Sequence, residues 1–448
     1  MQFRKTAISM SIIASLALVG CGGSSSDNPP KVETKKITVI DGYLGNVEVC
    51  IDRDENKSCD AGESIGFTNS DGTIEIAKAD EKYSIITKVN AGTSADSDRI
   101  GYVRSSYEMI ATADSNVVTP FTTLAEARGI TIAELAADLN ISADVVSGDY
   151  VLAKGTSSSA RDAKVAHALA RSLVNELPTS VIDLDGESLG ASSALIKTAI
   201  EDHENSYGTD ILNDVDFILN GDEVINEAVI SDLKSYLVGD EPTRWYFVSM
   251  NTSYATDEGV FMIEFGEDTY DVAQGGEWEY DNPYSIDGNN LFVGGDEQDE
   301  FIYTSTEIAL AIPMGDDDLN IWSTNDLEAT GADFTSEQFD GKTWYFIIDD
   351  SQTQTPDPML LEITFNVNGS TSITQGGSEE TGTWSLSQGN LVIDDGAGDL
   401  AEFSSILNSS HLMVMIELDR DFNGSVDAYS LATQDKNLAQ SIVDKWAK

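Results

Sequence analysis

Apolar and polar side chains alternate near both ends of this 448-residue chain and take up a helical spacing between them. Runs such as Ile37-Thr38-Val39-Ile40, Val47-Glu48-Val49-Cys50 and Tyr83-Ser84-Ile85-Ile86, set off by Gly, Asp and Asn, predict short half-buried strands over 37–120. The reason is geometric: successive strand side chains face opposite sides of a sheet. From 121 to about 240 the apolar positions recur every three or four residues, which predicts helices. Thr131 and Glu134 form a capping box opening a helix from Ile132 to Leu139. Val165, Leu169, Leu173 and Leu177 share a helical face that stops at Pro178, and Leu195, Ile196 and Ile200 belong to another helix. Val224, Ile225, Val229, Leu233 and Leu237 predict a fourth.

Alternation then returns twice. Trp245-Tyr246-Phe247 corresponds to Trp344-Tyr345-Phe346, Ile263-Glu264-Phe265 to Ile363-Thr364-Phe365, and Gln274-Gly275-Gly276 to Gln375-Gly376-Gly377. Tyr284-Ser285-Ile286 matches Trp384-Ser385-Leu386, and Asn290-Leu291-Phe292-Val293 matches Asn390-Leu391-Val392-Ile393. An offset that stays near 100 residues over such anchors marks an internal repeat, 243–335 and 338–432. Each copy holds enough short strands for an antiparallel meander, and eight strands closing on themselves remove their own edges. Two barrels and one merged sheet both satisfy the pattern. Leu438, Ile442, Val443 and Trp446 predict an amphipathic helix over 433–448. The predicted fold is therefore multi-domain and mainly β: a small β-sandwich, a helical domain, then two tandem antiparallel β-meander or barrel repeats.

The first 20 residues carry a different signature. Arg4 and Lys5 precede an apolar run from Ala7 to Val19, too short for a permanent membrane span and patterned like a cleaved export signal. Leu18-Val19-Gly20-Cys21 resembles the lipobox of bacterial lipoproteins. That resemblance implies cleavage before Cys21, a diacylglyceryl thioether on its sulfur, and, with Gly22 rather than Asp following, an outer-membrane location facing either the periplasm or the outside. The Gly/Ser/Pro-rich segment 21–36 reads as a flexible tether.

Two further resemblances concern the folded part. Asp41-Gly42-Tyr43-Leu44 leads to a strand and an acidic loop, and Thr68-Asn69-Ser70-Asp71-Gly72-Thr73-Ile74 follows. This resembles the transthyretin-like sandwiches of carboxypeptidase-regulatory and collagen-adhesin B-type families, which implies a stalk or spacer. Gly341-Lys342-Thr343-Trp344 is similar to the opening strand of small lipocalin-like barrels, which implies that a Trp plugs one end.

Charge narrows the partners. Lys+Arg is 25 and Asp+Glu 78, a net charge of −53, and loss of Arg4 and Lys5 with the signal takes it to −55. Such a chain repels nucleic acid and anionic headgroups and attracts divalent cations. Beyond Cys21 only Cys50 and Cys59 remain, and in an oxidising compartment they predict one disulfide closing a small loop.

That loop is the first candidate calcium site. Asp52, Asp54, Asn56, Asp60 and Glu63 place oxygens at positions one, three, five, nine and twelve, the recurrence a hard cation requires, although Lys57 stands at position six where an EF-hand loop has glycine. An acidic surface turn explains the same residues. The second candidate is Asp419, Asp421, Asn423, Ser425 and Asp427, which an Asn-Gly hairpin turn explains equally. Gly186-Glu187-Ser188-Leu189-Gly190 fits the nucleophile-elbow pattern, but that motif needs a parallel sheet plus a downstream acid and histidine, and only His203 and His411 follow. With no phosphate-binding or zinc motif present, no catalytic residue is predicted. The leading expectation is a non-enzymatic binding or adhesion module recognising a protein or glycan. A carrier of lipophilic ligands is the alternative and a hydrolase the third reading.

Overall fold

The computed structural model describes residues 33–448 apart from 157, 221–222, 240–242, 251–258, 295–296, 316–317, 329–330, 352–354, 395, 397–399, 409–410, 419–425 and 448. The export signal, Cys21 and the tether therefore lie outside the described residues. So do Asp419, Asp421, Asn423 and Ser425 of the second acidic loop; Asp427 falls in the strand Val426–Thr433. No helix among the described residues is long and apolar enough to cross a membrane.

The first strands form small sheets. One has the order Thr73–Ala77, Thr34–Val39, Val117–Val118, and another the order Ser64–Phe67, Glu48–Asp52, Ser84–Val89, Tyr107–Ala111. Thr68 fixes the turn between them, donating to the Leu44 carbonyl at 2.6 Å and accepting from the Val47 amide at 3.0 Å. Thr119 caps the helix Pro120–Arg128, with proline at the first helical position, where its missing N–H is not needed. The Thr131–Glu134 box caps Ile132–Leu139 as predicted. Helices Ala160–Leu173 and Gly186–Tyr207 follow. Sheets and helices share one hydrophobic core, in which Ile37, Val49 and Met109 join Phe121, Leu169 and Phe217.

The fourth predicted helix is only partly present. Val215–Asn220 and Glu223–Ala228 form an antiparallel hairpin, and helix begins only at Leu233–Val238. Val224, Ile225 and Val229 are β-branched and favour a pleated strand once a partner strand is at hand.

Each repeat closes separately. Eight strands from Arg244–Ser249 to Asn320–Ser323 form one closed antiparallel barrel, and eight from Thr343–Asp349 to Val426–Thr433 form a second. Both long hairpins turn on glycine pairs, Gly275-Gly276 (φ 57° and 87°) and Gly376-Gly377 (φ 54° and 87°). Positive φ at both central residues matches the right-handed twist of the flanking strands. Inside the first barrel Trp245, Ile263, Phe265, Leu291, Phe301 and Trp322 pack together. Inside the second, Phe346, Phe365, Leu391, Phe403 and Met415 do so.

A short helix plugs each barrel at the same place. Trp245 Nε1 donates to the Leu237 carbonyl at 2.9 Å, and Trp344 Nε1 to the Gln338 carbonyl, also at 2.9 Å, in the helix Ser336–Phe339. The same tryptophan–carbonyl bond thus occurs in both copies, including the one whose opening strand lacks the preceding glycine. Outward-facing residues of the two barrels, among them Val248, Leu310, Ile321, Ile347, Val414 and Leu431, form one further core with Leu438, Ile442 and Trp446 of the closing helix Lys436–Trp446. Asp435 begins that helix: Oδ1 accepts from the amides of Asn437 and Leu438 at 2.8 and 3.0 Å, and Oδ2 accepts from the Ser106 amide at 2.6 Å. Ser441 donates to the Gly92 carbonyl at 2.7 Å, so the last helix is bonded to the first sheets' loops.

Candidate functional site

The disulfide-braced loop folds as a tight cup. Cys50 and Cys59 are bonded, with Cα atoms 5.5 Å apart. Carboxylate oxygens of Asp52, Asp54 and Glu63 lie within 4.8 Å of one another; Asp52 and Glu63 are buried and Asp54 is exposed. Asp52 accepts from the amides of Asn56 and Lys57 at 3.0 and 3.1 Å, and Glu63 from the amide of Arg53 at 2.6 Å. Lys57, at the sixth position, has φ 58°, the left-handed conformation that glycine adopts without steric cost. Its ammonium group reaches Glu126 at 2.9 Å. Three of the five predicted ligands therefore converge. Asn56 and Asp60 stand differently: the Asn56 amide nitrogen donates to Asp54 at 3.1 Å and Asp60 at 2.7 Å, while its oxygen accepts from the Ser58 amide at 2.7 Å. An –NH2 group thus faces the carboxylates.

The first barrel's interior is crowded with rings. Trp322 stacks on Phe247 at 4.7 Å between centroids and Phe247 on Phe261 at 4.8 Å, with Phe301 5.5 Å from Trp322. In the second barrel Phe339 of the plug lies 5.0 Å from Phe365, and Phe346 lies 5.6 Å from Phe403. Two polar clefts open elsewhere. One of about 450 Å³ sits at the plugged end of the first barrel beside Asp232, Lys234, Glu267 and Asp268. Another of about 530 Å³ runs along the helices beside Gly186, Gly190 and Lys197.

The second cleft contains the nucleophile-elbow lookalike and explains its first glycine. A Cβ on Gly186 would lie 2.2 Å from the Ala127 carbonyl oxygen, so glycine lets the long helix cross the end of Pro120–Arg128. Ser188 is exposed in the helix's first turn, with its amide bonded to the capping Asp185. His203 packs on Tyr207 and Phe217, at 4.7 and 5.4 Å.

The outer face of the first barrel carries a cluster of which the sequence marks only Tyr246 and Glu264, as repeat anchors, without singling out Trp278 or Tyr280. Arg244, Tyr246, Met262, Glu264, Trp278 and Tyr280 occupy neighbouring positions in the strand register, with Trp278 opposite Ala273 and Ala273 opposite Met262. Trp278 and Tyr280 are nearly parallel (22°) with centroids 6.3 Å apart, and Tyr280 is 65% exposed. Arg244 places its guanidinium 5.4 Å from the Trp278 ring and donates twice to Glu264. In the second barrel Glu379 and Thr381 replace the two rings, and Lys436 of the closing helix lies 5.6 Å from Tyr345 and 2.8 Å from Glu362. The signal was the Glu-Trp-Glu-Tyr alternation of residues 277–280. A register shift between Tyr270 and Val272, with Asp281 at φ 60°, puts these rings outside while Tyr284 and Ile286 pack with the interior.

A second unforeseen cluster is buried where the sheets meet the helices. Arg171 donates to Asp216 at 3.0 Å and to the carbonyls of Leu212 and Val215 at 2.8 and 3.2 Å; Arg99 also pairs with Asp216. His167 Nε2 faces Asp98 at 2.5 Å, and Lys154 donates to His167 Nδ1 at 2.7 Å. A cation donating to Nδ1 fixes the neutral tautomer protonated on Nε2, and burial holds the imidazole down at about 4. Burial raises the carboxyl of Asp96 to about 6 and pushes that of Asp41 well up, the latter accepting from Tyr107 at 3.2 Å.

No family model matches the chain, and no curated protein matches it. Among solved structures it is similar to the crystal structure of a protein of unknown function from the DUF3598 family of Nostoc punctiforme, at 11% identity over 46% of this chain and 98% of that one, with a TM-score of 0.20.

Proposed function

We propose that this chain is a lipid-anchored protein of the bacterial cell envelope, tethered through Cys21, that works as a non-enzymatic binding module. The outer aromatic face of the first barrel is its contact surface. The observation that carries this reading is the difference between the repeats. One barrel design occurs twice, and where the first copy has the half-buried Trp278 and the exposed Tyr280 on its outer face, the second has Glu379 and Thr381. Ring-filled interiors favour this reading over carriage of a lipophilic ligand, which needs internal space. The exposed Ser188, with His203 packed elsewhere, gives the hydrolase reading no support. Residues 37–120, with their Thr68-anchored turn, would act as a transthyretin-like stalk, and the membrane contact would be the lipid alone. Protein lacking residues 1–21 should sediment with isolated bacterial envelopes, and Trp278→Ala/Tyr280→Ala should lose most of that binding. Equal sedimentation of the double variant would sink the proposal.

Calcium is proposed as a structural ion of the 52–63 loop, with Asp52, Asp54 and Glu63 as ligands and Asn56 turning its amide oxygen inward. Two buried carboxylates beside a third anion are relieved by a divalent cation. At a free calcium concentration a hundred times the dissociation constant, the protein should gain about 2.7 kcal/mol. A thermal scan at fixed ionic strength measures this, with Asp54→Asn as the control. An unchanged melting temperature across millimolar calcium would remove the ion from the account.

A further inference from the structure

We propose that the outer face of the first barrel binds a neutral glycan chain, with sugar rings stacked on Trp278 and Tyr280. This names the ligand class for the contact surface described above and rests on that reading.

The two rings lie on one strand two residues apart, so they share a face. They are 22° from parallel, with centroids 6.3 Å apart. Ala273, opposite Trp278, is 1% exposed and too small to stand above the rings, so the surface beside them stays low. A pyranose presents a flat array of C–H groups whose slight positive charge suits the negative face of an aromatic ring. Its hydroxyls then need acceptors and donors at the edge of the stack. Glu264 and Asp271 supply acceptors in the next strands, and Arg244, 5.4 Å from the Trp278 ring and bonded to Glu264, borders the stack.

Charge selects among polymers. The chain carries −53, and exposed Glu277 and Glu279 flank Trp278 directly. Uronate, sulfate or phosphate groups would be repelled. A basic peptide would suit the carboxylates but has no need of two parallel rings. The second barrel provides a contrast within the same chain: its glycine-pair turn repeats, but its strands pair without the register shift, Glu379 and Thr381 stand in place of the rings, and Lys436 lies over Tyr345.

The test is electrophoresis of the protein lacking residues 1–20 through native gels containing a β-1,3-glucan, a xylan, a mannan or a galactan, with alginate, polygalacturonate and a basic peptide as comparison additives. At least one neutral polysaccharide should retard the protein. Trp278→Ala/Tyr280→Ala should weaken that retardation about tenfold or more, and Glu379→Ala/Thr381→Ala should leave it unchanged. Tyr280→Ala alone, at a site 65% exposed, should give an intermediate loss without disturbing the fold. Retardation by none of the neutral polysaccharides overturns the inference, as does retardation that survives the double variant. If envelope sedimentation still depends on the rings while only the basic peptide retards the protein, the contact surface stands and the glycan falls.

Discussion

Arg171→Met is expected to cost about 3–5 kcal/mol of folding stability, the largest effect of any single substitution considered. Arg171 and Asp216 are each 1% exposed. The guanidinium satisfies Asp216 and two backbone carbonyls at once. Methionine fills much of the volume but leaves the carboxylate with Arg99 alone and the carbonyls of Leu212 and Val215 short of a donor. Removing one member of a buried pair strands the other's charge, which costs far more than the pair itself contributes. The companion variant Arg171→Met/Asp216→Asn should therefore be more stable than Arg171→Met alone. Urea unfolding of the two variants and the parent gives the comparison. A loss below about 1 kcal/mol for Arg171→Met would mean that water reaches the cluster and screens it.

Stability should also collapse on acidification, in a window set by the same cluster. His167 titrates at about 4 in the folded chain and near 6.5 when unfolded, so the unfolded state takes the proton first and stability falls as pH drops from about 6.5 to 4. Asp96 opposes this over nearly the same interval. Its carboxyl is raised to about 6, so folded protein favours the protonated form and regains stability as pH falls from 6 toward the ordinary carboxylate value. Asp41, also raised, adds to the Asp96 trend, and His411, held down at about 3, adds to that of His167. The opposing trends offset, and a shallow profile is expected between pH 6.5 and 4. Below that no compensation remains. Asp98, paired with His167, is held down at about 2, and Asp216, between Arg99 and Arg171, is held lower still, so both lose their contribution as pH falls below the unfolded carboxylate range. Melting temperatures from pH 3 to 8 should show a plateau and then a steep fall. His167→Gln should make the change in stability from pH 6.5 to 4 more favourable than the parent's. It removes one falling trend, while those of Asp96 and the raised Asp41 remain, opposed by His411, held down at about 3. A parent profile that falls smoothly from pH 7 would contradict the offset.

The barrels were legible because alternation, paired glycines and anchors recurring near every 100 residues are local signals, and each closes without help from the other. The Thr131–Glu134 cap was legible for the same reason. Residues 215–238 were not. Val224, Ile225 and Val229 fit either period, and the choice was made by the strand Val215–Asn220 pairing alongside. The acidic loop was read in outline, since its oxygens do gather, but a side-chain amide has two ends and the spacing does not say which faces in. The buried charges left a faint trace. Helix Ala160–Leu173 is apolar around His167 and Arg171, with Ala163, Ala166, Ala168 and Ala170 all buried, so polar groups on it had to find partners inside. Those partners, Asp98 and Asp216, come from segments far away in sequence. The exposed rings stayed hidden behind the irregularity at Asp281, which no periodicity predicts.

Synthesis delivers Ser106 329 residues ahead of Asp435, the side chain that holds it. Whether the chain emerges from a ribosome or through a membrane pore, the loops near Gly92 and Ser106 must wait, unfinished, until both barrels and the last helix have appeared. Such long-range closure is slow to form and late to be rewarded. The closing helix works as a buckle, and the strap of first sheets stays open until that buckle arrives. A chain cut short anywhere before residue 435 would then leave the Ser106 amide and the Gly92 carbonyl without these partners, a defect at the end opposite to the cut.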